Sequence, residues 1–326
     1  MIDFRYHLVS LIAVFLAIAL GLVIGATQLS GPVLDNLRGQ VTSLQEDKRE
    51  LEDTTQDLQT RADADQAFQA AVAPTLVQDA LAGRSVLFVL TSDEVTTDTV
   101  EEVTALVTEA GGTVNGQLTL QEAYSDPATE SALQSFVTTP AGRPAGVELP
   151  ETDDTGQLVG SLLAEVLMVP ADAAAPQAPG AEPAEPDTAA VSTVVAGLQA
   201  LDAVSQDSDS VTPADFAVVL TSGAVTGEGA EARTDALLDL VRALDAAGSG
   251  AVVAGDAASA GEGGLVGAVR ADPETSATVS TVDNVGAPAG QVSTVLALRA
   301  EGEGTSGAYG TGEEAQPVPP LPAPTP

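Results

Sequence analysis

The sequence has no cysteine and no tryptophan, one histidine and two methionines. Zero cysteine removes disulfides, thiolate metal sites and thiol catalysis, and is compatible with either redox compartment. The single histidine, His7, leaves nothing downstream to serve as the base of a Ser–His–Asp or Cys–His device. Aromatics make up 3% of the chain, so a core must be built from Ala, Val and Leu, and no aromatic-rich groove for a glycan is available. Basic residues are also scarce. Eleven stand against 47 acids, for a formal net charge of −36, and Lys48 is the only lysine. Such a surface repels nucleic acid and anionic lipid headgroups. It suits basic proteins, cations or neutral glycans as partners, and it also serves solubility.

What the sequence does contain is one long apolar run. Residues 8–29 are 22 consecutive positions without a charge. At about 1.5 Å per residue they span roughly 33 Å, enough for a hydrocarbon core of about 30 Å. A cleaved signal peptide would carry a shorter core and a small-x-small exit; the best exit here, Ile24-Gly25-Ala26, has a β-branched residue three back from the cut. A buried globular helix rarely runs this far without a polar side. An uncleaved anchor fits best. Arg5 and the α-amino group lie on the short N-terminal flank, while the other flank opens its charges with Asp35. The positive-inside rule then predicts a single-pass protein of the cytoplasmic membrane: residues 1–7 inside, residues 8–29 spanning, the rest in the cell envelope. Ala13, Ala17, Gly21 and Gly25, each four apart, form a small-residue stripe on which two such helices could approach closely.

The opening stretch also carries a resemblance. Arg5, His7, Val9-Ser10-Leu11, Ala13-Val14-Phe15-Leu16 and Gly21-x3-Gly25 resemble the N-terminal signature of the actinobacterial MctB family, named as copper transport proteins. The layout of anchor, coiled coil and α/β domain is similar too. The resemblance implies copper transport or homeostasis in the cell envelope. A related corynebacterial line is described as partnering another envelope protein to control a peptidoglycan hydrolase, which implies an alternative role as a coiled-coil scaffold or adaptor.

Residues 30–73 read as a coiled-coil stalk. Leu37, Leu44, Leu51 and Leu58 recur every seven positions as d, with Leu34, Val41, Lys48, Thr55 and Ala62 as a. In a parallel homodimer Asp47 at g would face Glu52 at e of the partner helix, a repulsive pair. A homo-oligomer is therefore poorly matched, and a partner helix with basic e and g positions suits better. Pro74 is expected to end the stalk.

Residues 83–300 predict an α/β domain with a mainly parallel sheet flanked by helices, Rossmann-like or flavodoxin-like in layout. Strands are expected at 85–90, 113–120, 215–220, 250–254 and 277–282. Helices are expected at 97–110, 126–137, 155–169, 189–204, 231–247 and 287–300. A Pro/Ala-rich loop interrupts at 170–187. The tail, 301–326, is expected to be disordered. A faint repeat relates Val89-Leu-Thr-Ser-Asp-Glu-Val95 to Val219-Leu-Thr-Ser-Gly-Ala-Val225.

Chemistry-bearing motifs are thin. Copper prefers thiolate, thioether or imidazole, and only Met1, His7 and Met168 offer any of these. Asp93, Glu94 and Asp98, the pair Asp153 and Asp154, and the pair Asp207 and Asp209 could hold hard cations, but none has EF-hand spacing. Gly302-Glu-Gly304-Thr-Ser-Gly307 fits GxGxxG but follows a helix. Gly227-Glu-Gly229-Ala-Glu-Ala232 lies between a strand and a helix, with Asp256 further on, yet Glu228 and Glu231 would repel a pyrophosphate. No enzymatic activity, cofactor or resident metal is expected.

Overall fold

The computed structural model describes residues 4–140, 142–171, 188–206, 210–227 and 229–321, with backbone alone for 26–34. By its internal contacts the chain divides into Met1–Asp65 and Gln66–Pro326. The first helix, α1, is Phe4–Val77. It continues three residues beyond Pro74, where the stalk was expected to stop. Proline lacks an N–H and crowds the carbonyl four residues back, but so near the C-terminus the remaining turn is held by burial. Ala73 and Val77 enter the core of the second unit.

Within that unit the elements alternate: β1 (Ser85–Leu90), α2 (Thr97–Glu109), β2 (Thr113–Leu120), α3 (Glu130–Thr138), α4 (Thr155–Leu167), α5 (Thr188–Ala200) and β3 (Val204–Gln206). Then come β4 (Phe216–Thr221), α6 (Ala230–Ala247), β5 (Ala251–Gly255), α7 (Leu265–Ala271), β6 (Ser280–Val282), α8 (Pro288–Gly302) and β7 (Ala308–Tyr309). Among the described residues the strands form one sheet in the order β3-β2-β1-β4-β5-β6-β7. Every pairing is parallel except β2 with β3. The expected mainly parallel sheet flanked by helices is thus the observed fold, and its strand order reverses between β1 and β4, as in doubly wound folds.

The period-2 rule for strands explains how a run such as SVLFVL is buried on both faces from Val86 to Leu90. Leu87, Val89, Ala217, Val219, Ala251 and Val253 face one layer with α4, α5, α6 and α7. Val86, Phe88, Leu90, Phe216, Val218 and Leu220 face the opposite layer, with the end of α1, α2 and α8. Both faces are covered, as a parallel sheet requires. Small residues let helices approach. A Cβ on Gly156 or Gly160 of α4 would sit 3.2 or 3.1 Å from the Cα of Ala236 or Leu240 of α6.

Two expectations need correction. The segment 189–204 is not all helix: α5 stops at Ala200, Asp202 turns the chain with φ 53°, and Val204–Gln206 pairs antiparallel with β2. The tail is not wholly disordered: α8 runs on to Gly302, and Ala308–Tyr309 adds a seventh strand beside β6. A carboxylate holds it there. Asp283, 1% exposed, accepts from the backbone N–H groups of Thr311 (2.7 Å) and Gly312 (3.0 Å) and pairs with Arg270 Nη1 (2.9 Å). The Pro/Ala-rich loop lies, apart from Pro170 and Ala171, outside the described residues.

Candidate functional site

The apolar helix segment Phe4–Gly25 is long and apolar enough to cross a membrane, with a mean hydropathy of 2.9. Among the described residues it is the one such segment. Ala13, Ala17, Gly21 and Gly25 recur at one helical face by spacing, and a Cβ on Gly21 or Gly25 would meet nothing within 4 Å. Further along α1, Leu37, Val41, Leu44, Leu51 and Leu58, the residues expected to form a seam, are all exposed, Leu44 and Leu51 by about two thirds (67% and 68%). Lys48 reaches Glu52 on its own helix (3.2 Å), and Thr55 Oγ1 donates to the Leu51 carbonyl (2.7 Å). Leu34 has helical backbone; its side chain lies outside the described residues.

A second feature lies where the sheet changes direction. In doubly wound sheets the crevice at the carboxyl ends of the strands, at the reversal point, is the usual ligand position. Here that point separates β1 and β4. The two Val-Leu-Thr-Ser runs of the faint repeat lie side by side, with Val89 opposite Val219 and Leu90 opposite Leu220. Thr91 Oγ1 donates to Thr221 Oγ1 across 3.1 Å. A cleft of about 460 Å³ opens above them, lined by Ser92, Asp93, Glu94, Glu122, Ser222 and Arg233 among others. No glycine follows β1, and Asp98 stands in the first turn of α2. A phosphate would meet carboxylates where such folds offer bare N–H groups.

The weaker motifs fall elsewhere. Gly229, φ 77°, is the N-cap of α6, whose first turn carries Glu231; Glu228 lies outside the described residues. Asp256 is engaged locally, accepting from the N–H groups of Gly223 (3.1 Å) and Ser259 (2.8 Å) and from Ser222 Oγ (3.2 Å). The GxGxxG at Gly302 ends α8 and turns into β7. Asp154 caps α4, accepting from the Gln157 N–H (3.2 Å). Asp207 and Asp209 lie outside the described residues, as does Met1.

The soft ligands are far apart in character. His7 is exposed on α1, whereas the Met168 thioether is in the core, 4% exposed. Among the described residues no group of three or more His, Asp or Glu is arranged around one point.

A third feature was not legible in the sequence. A cavity of about 260 Å³ lies between the first turn of α4, α3 and α6, and Tyr124 and Thr155 line it. Their hydroxyl oxygens are buried without a hydrogen-bond partner. The one signal that could have found it is Tyr124 itself, a buried tyrosine in a chain with only three.

Comparison with known proteins bears on the whole chain. The family described as "Copper transport outer membrane protein, MctB" matches residues 1–320. The copper transporter MctB of Mycobacterium tuberculosis is 33% identical over 323 residues, covering 98% of this chain and 99% of that protein. The protein of the same name from Mycobacterium leprae is 32% identical over 317 residues, 97% and 98% of the two chains.

Proposed function

This chain belongs to the MctB family, and from that premise we propose that it acts in copper transport as a membrane-anchored protein of the cell envelope. The observation that carries the reading is the match along nearly the whole chain, anchor and α/β unit together. The chain's own chemistry argues for an indirect part. With no Cys, one His and two Met, it lacks the soft donors that copper requires in number. The copper ligands then belong to a partner, and this protein contributes an anchor and an assembly surface. The exposed seam from Leu37 to Leu58 supports that division of labour, and the Asp47–Glu52 repulsion favours a different chain as partner over a second copy.

The anchor supports a position in the cytoplasmic membrane with the N-terminus inside, because Arg5 flanks the short side. The apolar α-helix Phe4–Gly25 is the segment offered for the span. The chain's lack of cysteine makes the orientation easy to read. Glu313→Cys, at an exposed site, should react with a membrane-impermeant maleimide in intact cells; protection until lysis would reverse the orientation. The copper reading is tested by deleting the gene and measuring cell copper after copper exposure. The account expects the copper content to depart from the parent strain and to return with the native chain; an unchanged content would end it. The names of the relatives favour copper over control of a cell-wall hydrolase.

A further inference from the structure

The cavity beneath Tyr124 has a chemistry of its own. Five carboxylates line it, Asp126, Glu130, Asp154, Asp235 and Asp239, and no basic residue does. Tyr124 and Thr155 are 4% and 6% exposed, and each hydroxyl oxygen is without a partner. Orphaned buried hydroxyls in a native fold call for an occupant, since a buried polar group left unsatisfied keeps its full desolvation penalty. The charges press on one another. Asp239 is held above the usual carboxylate range by burial and then by the Asp154 charge, although Arg242 pulls the other way. Burial, and then Asp239, push the Tyr124 phenol up as well. A bound cation would relieve all of this.

A metal ion is not the best fit. The carboxylates surround the space without converging: among the described residues no three acidic groups are placed to share one ion. Asp126 Oδ1 accepts from the Ala128 N–H (2.9 Å), Asp154 Oδ1 from the Gln157 N–H (3.2 Å), and Asp239 Oδ1 pairs with Arg242 Nη1 (3.2 Å). The rest of the wall is apolar, with Pro127, Leu133 and Ala236 among its members. Dispersed negative charge beside an apolar wall matches a cation carried on an alkyl stem. The volume, about 260 Å³, falls below the roughly 300–1,000 Å³ of drug-sized pockets, so the occupant is small.

We propose that this cavity between α3, α4 and α6 binds an alkylammonium or alkylguanidinium group, from a free amine or from a Lys or Arg side chain of another protein. Neither the family description nor the copper reading assigns it, and it stands independently of both.

The test is calorimetric titration of the full chain in detergent micelles. The probes are agmatine, a short peptide with blocked termini and one central lysine, calcium chloride and n-butanol. Agmatine or the peptide should bind with a Kd below 1 mM, and butanol should not. Binding by agmatine alone points to a free amine, and tighter binding by the peptide to a protein side chain; either supports the site. Asp235→Asn and Glu130→Gln should each weaken binding at least tenfold, and Tyr124→Phe about threefold, with melting temperatures within a few degrees of the native chain. Asp93→Asn should change nothing. Equal binding by the native chain and the two charge variants, or equal losses with Asp93→Asn, would reduce the effect to general attraction by a chain of charge −36 and overturn the proposal. Calcium binding that displaces agmatine would overturn it in favour of a metal.

Discussion

Two buried carboxylates, Glu301 and Asp283, behave in opposite ways. Glu301 on α8 is 8% exposed, and its Oε1 has no hydrogen-bond partner. Burial outweighs a hydrogen bond from Ser280 and, with a smaller push from the nearby Asp245 charge, raises its carboxyl from 4.5 up to about 7. Below pH 4.5 the group is protonated in both folded and unfolded chains. As pH rises through 7 the folded chain must ionise it in place, so stability falls across that window. The linkage amounts to about 3 kcal/mol at most. Glu301→Gln should therefore melt several degrees above the native chain at pH 8 and match it at pH 4.5; equal curves at both pH values would contradict the burial argument.

Asp283 is the reverse case. Burial alone would raise it, but the Thr311 and Gly312 N–H groups and the Arg270 guanidinium hold it below the usual range. Its contribution is present above pH 3.8 and fades as pH falls. Asp283→Asn leaves Arg270 short of its counter-charge. It should cost about 3 kcal/mol and release the chain after Gly304 to proteolysis. Undiminished protection of that segment would show that β7 holds without the carboxylate. Neither residue could be picked out in the sequence. The Gly, Glu and Pro around β7 have the composition of a disordered tail, and a two-residue strand has no periodicity to detect.

At the scale of elements, legibility follows length. The six-residue runs 85–90 and 216–221 are apolar at five positions each, all but Ser85 and Thr221, and are flanked by turns, so they read as buried strands. The helices α2, α4, α6 and α8 have 13, 13, 18 and 15 residues and repeat their apolar positions several times. β3 has three residues and α7 seven, too few for a pattern to emerge. The α4–α6 crossing was hidden for another reason: Gly156 and Gly160 look like helix weaknesses in sequence, yet they are where α6 passes closest. Gly160→Leu would drive a side chain into the Leu240 backbone, and should cost about 1–3 kcal/mol or more. Gly286→Ala, with open space around its would-be Cβ, should be close to neutral. Similar losses from both, measured by urea denaturation, would argue against close packing as the reason for Gly160. The cavity beneath Tyr124 was illegible because its acids are spread over more than a hundred positions, from Asp126 to Asp239, and only the fold gathers them.

For the whole molecule, the chain joins a long helix, with an apolar N-terminal segment and a heptad of leucines, to an α/β unit with acidic clefts. The heptad of leucines from Leu37 to Leu58 is the strongest periodic signal in the sequence. Its exposed leucines are apolar surface of a kind that marks an interaction site. The copper reading and the seam make one joint claim, that transport depends on an assembly formed through α1. The most direct measurement is cell copper content, after copper exposure, in a deletion strain complemented by the native chain or by the double variant Leu44→Asp/Leu51→Asp at equal membrane abundance. The account predicts that the native chain restores the parent's copper content and the variant does not. Full restoration by the variant would contradict it, because copper would then be handled without the seam.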